Sequence, residues 1–260
     1  MIDPLMFIAL LPAVVLVVYI CRKDRTDKEP PALIAKLLGY GVLSCLPAIV
    51  VELILSAIIE RLNVRNVYLG YFLEAFVVAG LTEETCKFLF LRTTWRSPAF
   101  DFQFDAIVYA VMVALGFAAF ENVKYVYSYG FATGIVRAVT AVPGHAIFGV
   151  FMGYFYGYAK LSDYWGREDD CRAYLALSVV VPVLMHGCYD FLAFTQESDS
   201  RFTLLFYAYL VALYVFGIRR VNRSSRDDRR VTRETVFDYF RRMQYPMPPQ
   251  YRDRNDDFWR

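Results

Sequence analysis

Apolar runs of about 18 or more residues recur along this chain, and that length covers the hydrocarbon core of a bilayer as a helix. Seven such runs stand out, at roughly 3–20, 33–59, 68–95, 105–129, 133–159, 172–195 and 203–218. The loops between them are short, which leaves no room for a sizeable soluble domain. A backbone in lipid must satisfy its own polar groups, so apolar spans of this kind fold as helices. The expected fold is an all-α, polytopic membrane helix bundle of about seven transmembrane helices.

Lys and Arg in the loops set the expected orientation. The segment after the first span carries Arg22, Lys23, Arg25 and Lys28, and 12 arginines lie between Arg219 and Arg260. The opposite loops hold few: Arg61, Arg65, Arg201, and Arg137 just inside a helix. An outside N-terminus and a cytoplasmic C-terminus follow, and an odd span count agrees. The first span has Asp3 where a signal peptide has basic residues, so it reads as a retained helix. The net charge of +2 reflects this topology and implies no nucleic-acid partner.

The expected organisation is a transmembrane domain over 1–220 and a cytoplasmic Arg-rich tail over 221–260. Within the tail, Val236, Phe237, Phe240 and Met243 fall at helical spacing among arginines. That pattern fits an amphipathic helix lying on an anionic leaflet. The remainder reads as disordered. The five cysteines form no CxxC pair and read as small buried hydrophobes.

Four spans carry polar residues that lipid does not tolerate cheaply: roughly 2.5–3.5 kcal/mol each on insertion scales. Span three holds Glu83, Glu84 and Lys87, three and four residues apart and so able to meet on one helix surface. Lys87 can neutralise one carboxylate, leaving the other as a candidate general base. Span four holds Glu121 and Asn122. The amide suits an oxyanion donor, while Glu121 can orient a histidine or a water, or pair with Lys124. At its start, Asp105 and Tyr109 can cap the helix or serve the site. Span five holds His145, in a small-residue stripe with Ala141, Gly149, Gly153 and Gly157 that permits close helix approach. Span six holds His186 and Asp190, one turn apart, so the carboxylate can fix the imidazole tautomer. Cys188 points away from His186. Counted at 1.5 Å per residue, Glu121, His145 and His186 fall in one layer roughly 22–24 Å from the cytoplasmic ends of their spans, and Glu83 joins it, at about 21 Å, if span three runs on to about Ser97.

Such a set suits attack of water on a carbonyl. Paired carboxylates already supply one base and one partner, which favours glutamate-based hydrolysis without a cofactor. A zinc variant would use His145, His186 and Glu121 as ligands and Glu84 as base. No HExxH is present. An ion-coupled transporter using the same buried Glu/His/Asp cluster is the alternative, although the chain shows no internal repeat and no matching broken helices.

The segments LTEETCKF (81–88), FDAIVYAVMVALGFAAFENVKYV (104–126), VRAVTAVPGHAIFGVFMGYFYGYAK (136–160) and VVPVLMHGCYDFL (180–192) match a known family in order. The chain resembles the PrsW-type intramembrane proteases, grouped with the CAAX prenyl endopeptidases and Abi membrane hydrolases. The resemblance covers most of residues 80–192 and is absent beyond about 220. It implies an endopeptidase acting on a single-pass, membrane-anchored partner, of which an anti-sigma factor in stress signalling is the best-known type. It also implies a site made of Glu83, Glu84, Glu121, Asn122, His145 and His186, supported by Lys87 and Asp190.

Overall fold

A computed structural model describes residues 3–231, all of it helix and connecting turns apart from an isolated bridge between Phe102 and Arg230. Nine α-helices follow in order among the described residues: α1 (Pro4–Lys23), α2 (Pro31–Arg61), α3 (Val67–Phe72), α4 (Thr82–Leu91), α5 (Asp105–Tyr129), α6 (Phe131–Val139), α7 (Ala141–Tyr164), α8 (Glu168–Ser198) and α9 (Arg201–Arg226). The expected tail helix around Val236–Met243 and the rest of the tail lie outside the described residues.

Local sequence explains most boundaries. Pro opens α1 and α2, where its missing N–H is no loss. Asp3 caps α1 by accepting from Leu5 N, and Asn66 caps α3 by accepting from Leu69 N. Gly130, at φ 86°, turns the chain between α5 and α6 through a conformation that side chains disfavour.

Six helical stretches are long and apolar enough to cross a membrane. The remaining expected span, 68–95, is present but is not one α-helix. It runs from α3 through a π-helical segment, Leu73–Leu81, into α4 and a final 3-10 turn, Arg92–Thr94. The expected span 133–159 is also split: Thr140 leaves helical geometry, so α6 is separate and α7 begins at Ala141. At the other end, α9 continues to Arg226, and Val231, at 1 % exposure, packs into the body beyond residue 220.

The layout places α5 at the axis. In its apolar stretch 78 % of residues are buried, against 17 % for α1 and 22 % for α9, which present their flanks outward. Close approach of α7 to α5 depends on the small-residue stripe. A Cβ on Gly153 would lie 2.4 Å from Ala106 O, and one on Gly157 2.7 Å from Gln103 O. Packing of α2 on α5 uses the same device, at Gly41 and Gly116.

Contacts at the helix ends fix the crossing pattern. Asp3 at the start of α1 accepts from Tyr127 near the end of α5. Tyr71 in α3 bonds Ser198 at the end of α8. At the opposite end, Lys23 bonds Asn222 of α9, and Tyr109 donates to Glu29 and Ala99 O. The start of α1 and the end of α9 therefore lie on opposite faces of the bundle, as an odd number of crossings requires.

Candidate active site

Glu83 and Glu84 open α4 directly after the π-helical segment. A π segment hydrogen-bonds five residues along, which widens the helix and is frequent beside functional sites. Here it seats the Phe76 ring against Gly187, where a Cβ would lie 2.3 Å from the ring. Gly187 thus makes room for an aromatic side chain, and α4 is drawn onto α8 at the level of His186.

Three helices bring four metal-type or acid–base groups together. Ligand atoms of Glu83, Glu84, His145 and His186 all lie within 4.8 Å of one another, and all four residues are buried. Lys87 Nζ sits among them, 3.1 Å from Glu83 Oε2, 2.7 Å from Glu84 Oε1 and 3.2 Å from His145 Nδ1. The Phe117 ring covers the same ammonium at 4.0 Å.

Hydrogen bonding assigns the tautomer of His145. An ammonium only donates, so Nδ1 accepts from Lys87, and Nε2–H donates to Glu121 Oε2 at 2.9 Å. His186 differs: Nδ1 faces Glu84 Oε1 at 2.9 Å and Nε2 faces Asp190 Oδ2 at 3.2 Å. Two carboxylate partners are what both N–H groups of an imidazolium satisfy. Phe148 stacks on this ring at 5.0 Å.

Glu121 lies behind His145 and is held by a residue that sequence reasoning did not assign to the site. Arg137 of α6 reaches Glu121 Oε2 at 2.9 Å, and its Nε donates to Asn122 Oδ1 at 3.0 Å. Lys124 is exposed and is not the partner. Nothing in the sequence ties Arg137 to α5, because the contact depends on the fold-back at Gly130. Phe117 and Phe148 were also missed, since an aromatic in an apolar span reads as core.

Three expected assignments meet a different arrangement in the structure. Asn122 is fully buried, its Nδ2 donates to Ala9 O at 2.8 Å, and its oxygen accepts from Arg137. Its oxygen and one of its two N–H groups are committed to joining α1, α5 and α6, which makes it first a link between these helices. Asp105 accepts from the backbone N–H of Asp101 and Phe102, and Tyr109 donates to Glu29 and Ala99 O. Both serve the far end of α5, roughly 18–24 Å from Glu121 at 1.5 Å per residue. Finally, the ligand-like group is Glu83, Glu84, His145 and His186. It replaces the expected zinc set containing Glu121, which bonds the far nitrogen of His145.

The donors nevertheless fit a metal ion. Two imidazoles and two carboxylates form a zinc-type set, and Glu84 Oε2 is a buried acceptor with no partner among the described residues. An ion held by these four would compete with the Lys87 ammonium for the same place. Burial falls off at its flank: the Glu121 and Asp190 side chains are 19 % and 17 % exposed, against 1 % for Glu84.

The profile described as PrsW family intramembrane metalloprotease matches residues 29–218. Protease PrsW of Oceanobacillus iheyensis is 34 % identical over 82 % of the chain and 93 % of the relative. Protease PrsW of Bacillus subtilis is also 34 % identical, over 82 % and 92 %. That of Clostridioides difficile is 28 % identical over 87 % and 94 %. No solved structure is significantly similar to the chain.

Proposed function

The chain belongs to the PrsW family and is a multi-pass intramembrane protease, and from that premise we propose that it cuts a single-pass membrane protein by glutamate-based hydrolysis. One observation carries this reading: two glutamates and two histidines from three helices share one buried cluster. Membership of a protease family leaves the transporter alternative without support.

In this reading a water enters past the partly exposed Glu121 and Asp190 and meets the glutamate pair. Glu84 Oε2, the carboxylate oxygen without a partner, takes its proton as the hydroxide adds to the scissile carbonyl. His186 lies against the other oxygen of the same carboxylate at 2.9 Å and holds it in place, while Asp190 holds His186. The developing oxyanion meets positive charge from Lys87 and His186, in a site from which bulk water is largely excluded. When the tetrahedral species collapses, the carbon–nitrogen bond breaks and the leaving amine takes the proton that Glu84 accepted from water, which returns Glu84 to its carboxylate form.

A metal ion, if bound by Glu83, Glu84, His145 and His186, would supply Lewis acidity and an activated water. We favour the glutamate route because Lys87 already places a tethered positive charge at that point.

The orientation proposed from the basic loops puts the start of α1 outside the cell. His145, near the start of α7, and Glu121, near the end of α5, then lie towards the outer face. That placement suits a first, extracytoplasmic-side cut of a membrane-anchored regulator. An anti-sigma factor, with release of a stress-response sigma factor, is the substrate class proposed for this chain.

A strong chelator separates the two chemistries. Purified protein in liposomes should keep cutting a single-pass substrate after chelation. Loss of cleavage that added zinc restores would transfer the chemistry to a metal on the same four residues.

A further inference from the structure

A second polar feature lies at the opposite end of the bundle, where α1 and α9 finish. There a cavity of about 570 Å³ is lined by Lys23, Arg25, Arg219, Asn222, Arg223 and Arg226, together with Ser225. It takes no part in the hydrolytic site, which lies towards the start of α1.

The cavity is built, not merely a scatter of surface charge. Lys23 Nζ donates to Asn222 Oδ1 at 2.6 Å, and Ser225 Oγ donates to Lys23 O, so the ends of α1 and α9 are pinned together. Ile20 and Val221 pack in the main core just beneath. Five cationic side chains converge on it, and among the described residues only Arg223 has an ion pair, to exposed Asp227 at 3.5 Å. Such a concentration of positive charge calls for an anion.

Position selects the anion. Both helices are long and apolar enough to cross a membrane and end here on basic residues, a position that suits the headgroup layer. Each exposes apolar side chains below its basic end: Val15 and Val18 on α1, Phe216 and Ile218 on α9. A ligand that places phosphate oxygens among the guanidinium forks and acyl chains along these flanks satisfies both surfaces. The chain's own tail complements the cavity poorly, because residues 232–260 carry six arginines against five acids.

We propose that this cavity binds the headgroup of an anionic phospholipid, clamping the C-terminal end of α9 to the membrane surface and to α1. The source of the phosphate, lipid or solution, is the point to be tested.

Detergent-solubilised full-length protein is titrated with phosphatidylglycerol, with phosphatidylcholine and with inorganic phosphate, and bound ligand is counted by native mass spectrometry. The triple variant Arg219→Gln/Arg223→Gln/Arg226→Gln should lose roughly a hundredfold in phosphatidylglycerol affinity, from three charges at the membrane surface. Phosphatidylcholine should be indifferent to it. The matching triple Arg→Lys variant should retain most of the binding, and unchanged helical circular dichroism in both variants would show that folding is intact. Equal phosphatidylglycerol retention by wild type and the Gln variant would overturn the proposal. So would displacement of the lipid by excess inorganic phosphate, which would make the ligand a soluble anion. Binding seen only after removal of residues 232–260 would also overturn it, making the tail the occupant.

Discussion

Lys87 Nζ lies 2.7 Å from Glu84 Oε1, with both side chains 1 % exposed. The same ammonium touches Glu83 and His145, so one lysine neutralises and orients the centre of the site. A pair this deep is costly to form and more costly to break, because the surviving partner is left as an unpaired charge. Lys87 is thus both a folding requirement and the local source of positive charge.

Lys87→Met should destabilise the protein by about 3–5 kcal/mol, the usual cost of breaking a buried pair. Combining it with Glu84→Gln should recover part of that loss, since the orphaned charge goes too. Thermal unfolding in detergent of the four members of the cycle measures this. Additive losses would mean the two residues do not act as a pair.

Asn122→Ala should behave as a stability variant. It removes the hydrogen bonds to Ala9 O and from Arg137 Nε, at about 1–3 kcal/mol together. Per folded molecule, cleavage should fall far less than the roughly hundred- to thousandfold typical of a lost oxyanion donor. A full loss of that size in well-folded protein would restore Asn122 to the chemistry.

Gly153→Ala should loosen the bundle. Its Cβ would meet backbone atoms of α5, Ala106 O at 2.4 Å and Ile107 Cα at 2.5 Å, and backbone cannot turn aside. An overpacking cost of about 1–3 kcal/mol is expected, visible as a lower melting temperature. Gly39, with open space around it, should tolerate the same change.

Glu29, between α1 and α2, is pushed up to about 7 by burial, and Asp24 to about 6 by the same cause. A carboxyl whose folded pKa is raised binds its proton more tightly in the native state. Its stabilising effect is full below the unfolded value near 4.5 and is lost as pH rises through about 7. Stability should therefore decline between these limits, and Glu29→Gln should flatten the decline. Unfolding midpoints across that range decide it. An unchanged slope in the variant would place the titration elsewhere.

Much of this was legible in the chain. Span lengths are set by bilayer thickness, so α1, α2, α5, α8 and α9 emerge within a few residues to two turns of their apolar runs. Glu83, Glu84, His145 and His186 stand out because lipid makes each of them expensive, and the structure gathers all four. What stayed hidden depends on contacts between distant segments. Arg137 reaches Glu121 only after the turn at Gly130, and Asn122 is committed by Ala9, 113 residues away. The π-helical segment left no mark in LEAFVVAGL, which has the composition of any apolar helix.

The most direct measurement is cleavage of a single-pass membrane substrate by the purified protein in liposomes, wild type against Glu84→Gln. The account predicts two defined fragments from the wild type and none from a Glu84→Gln protein of equal helical content. Undiminished cleavage by that variant would contradict it and remove the glutamate pair from the centre of the reaction.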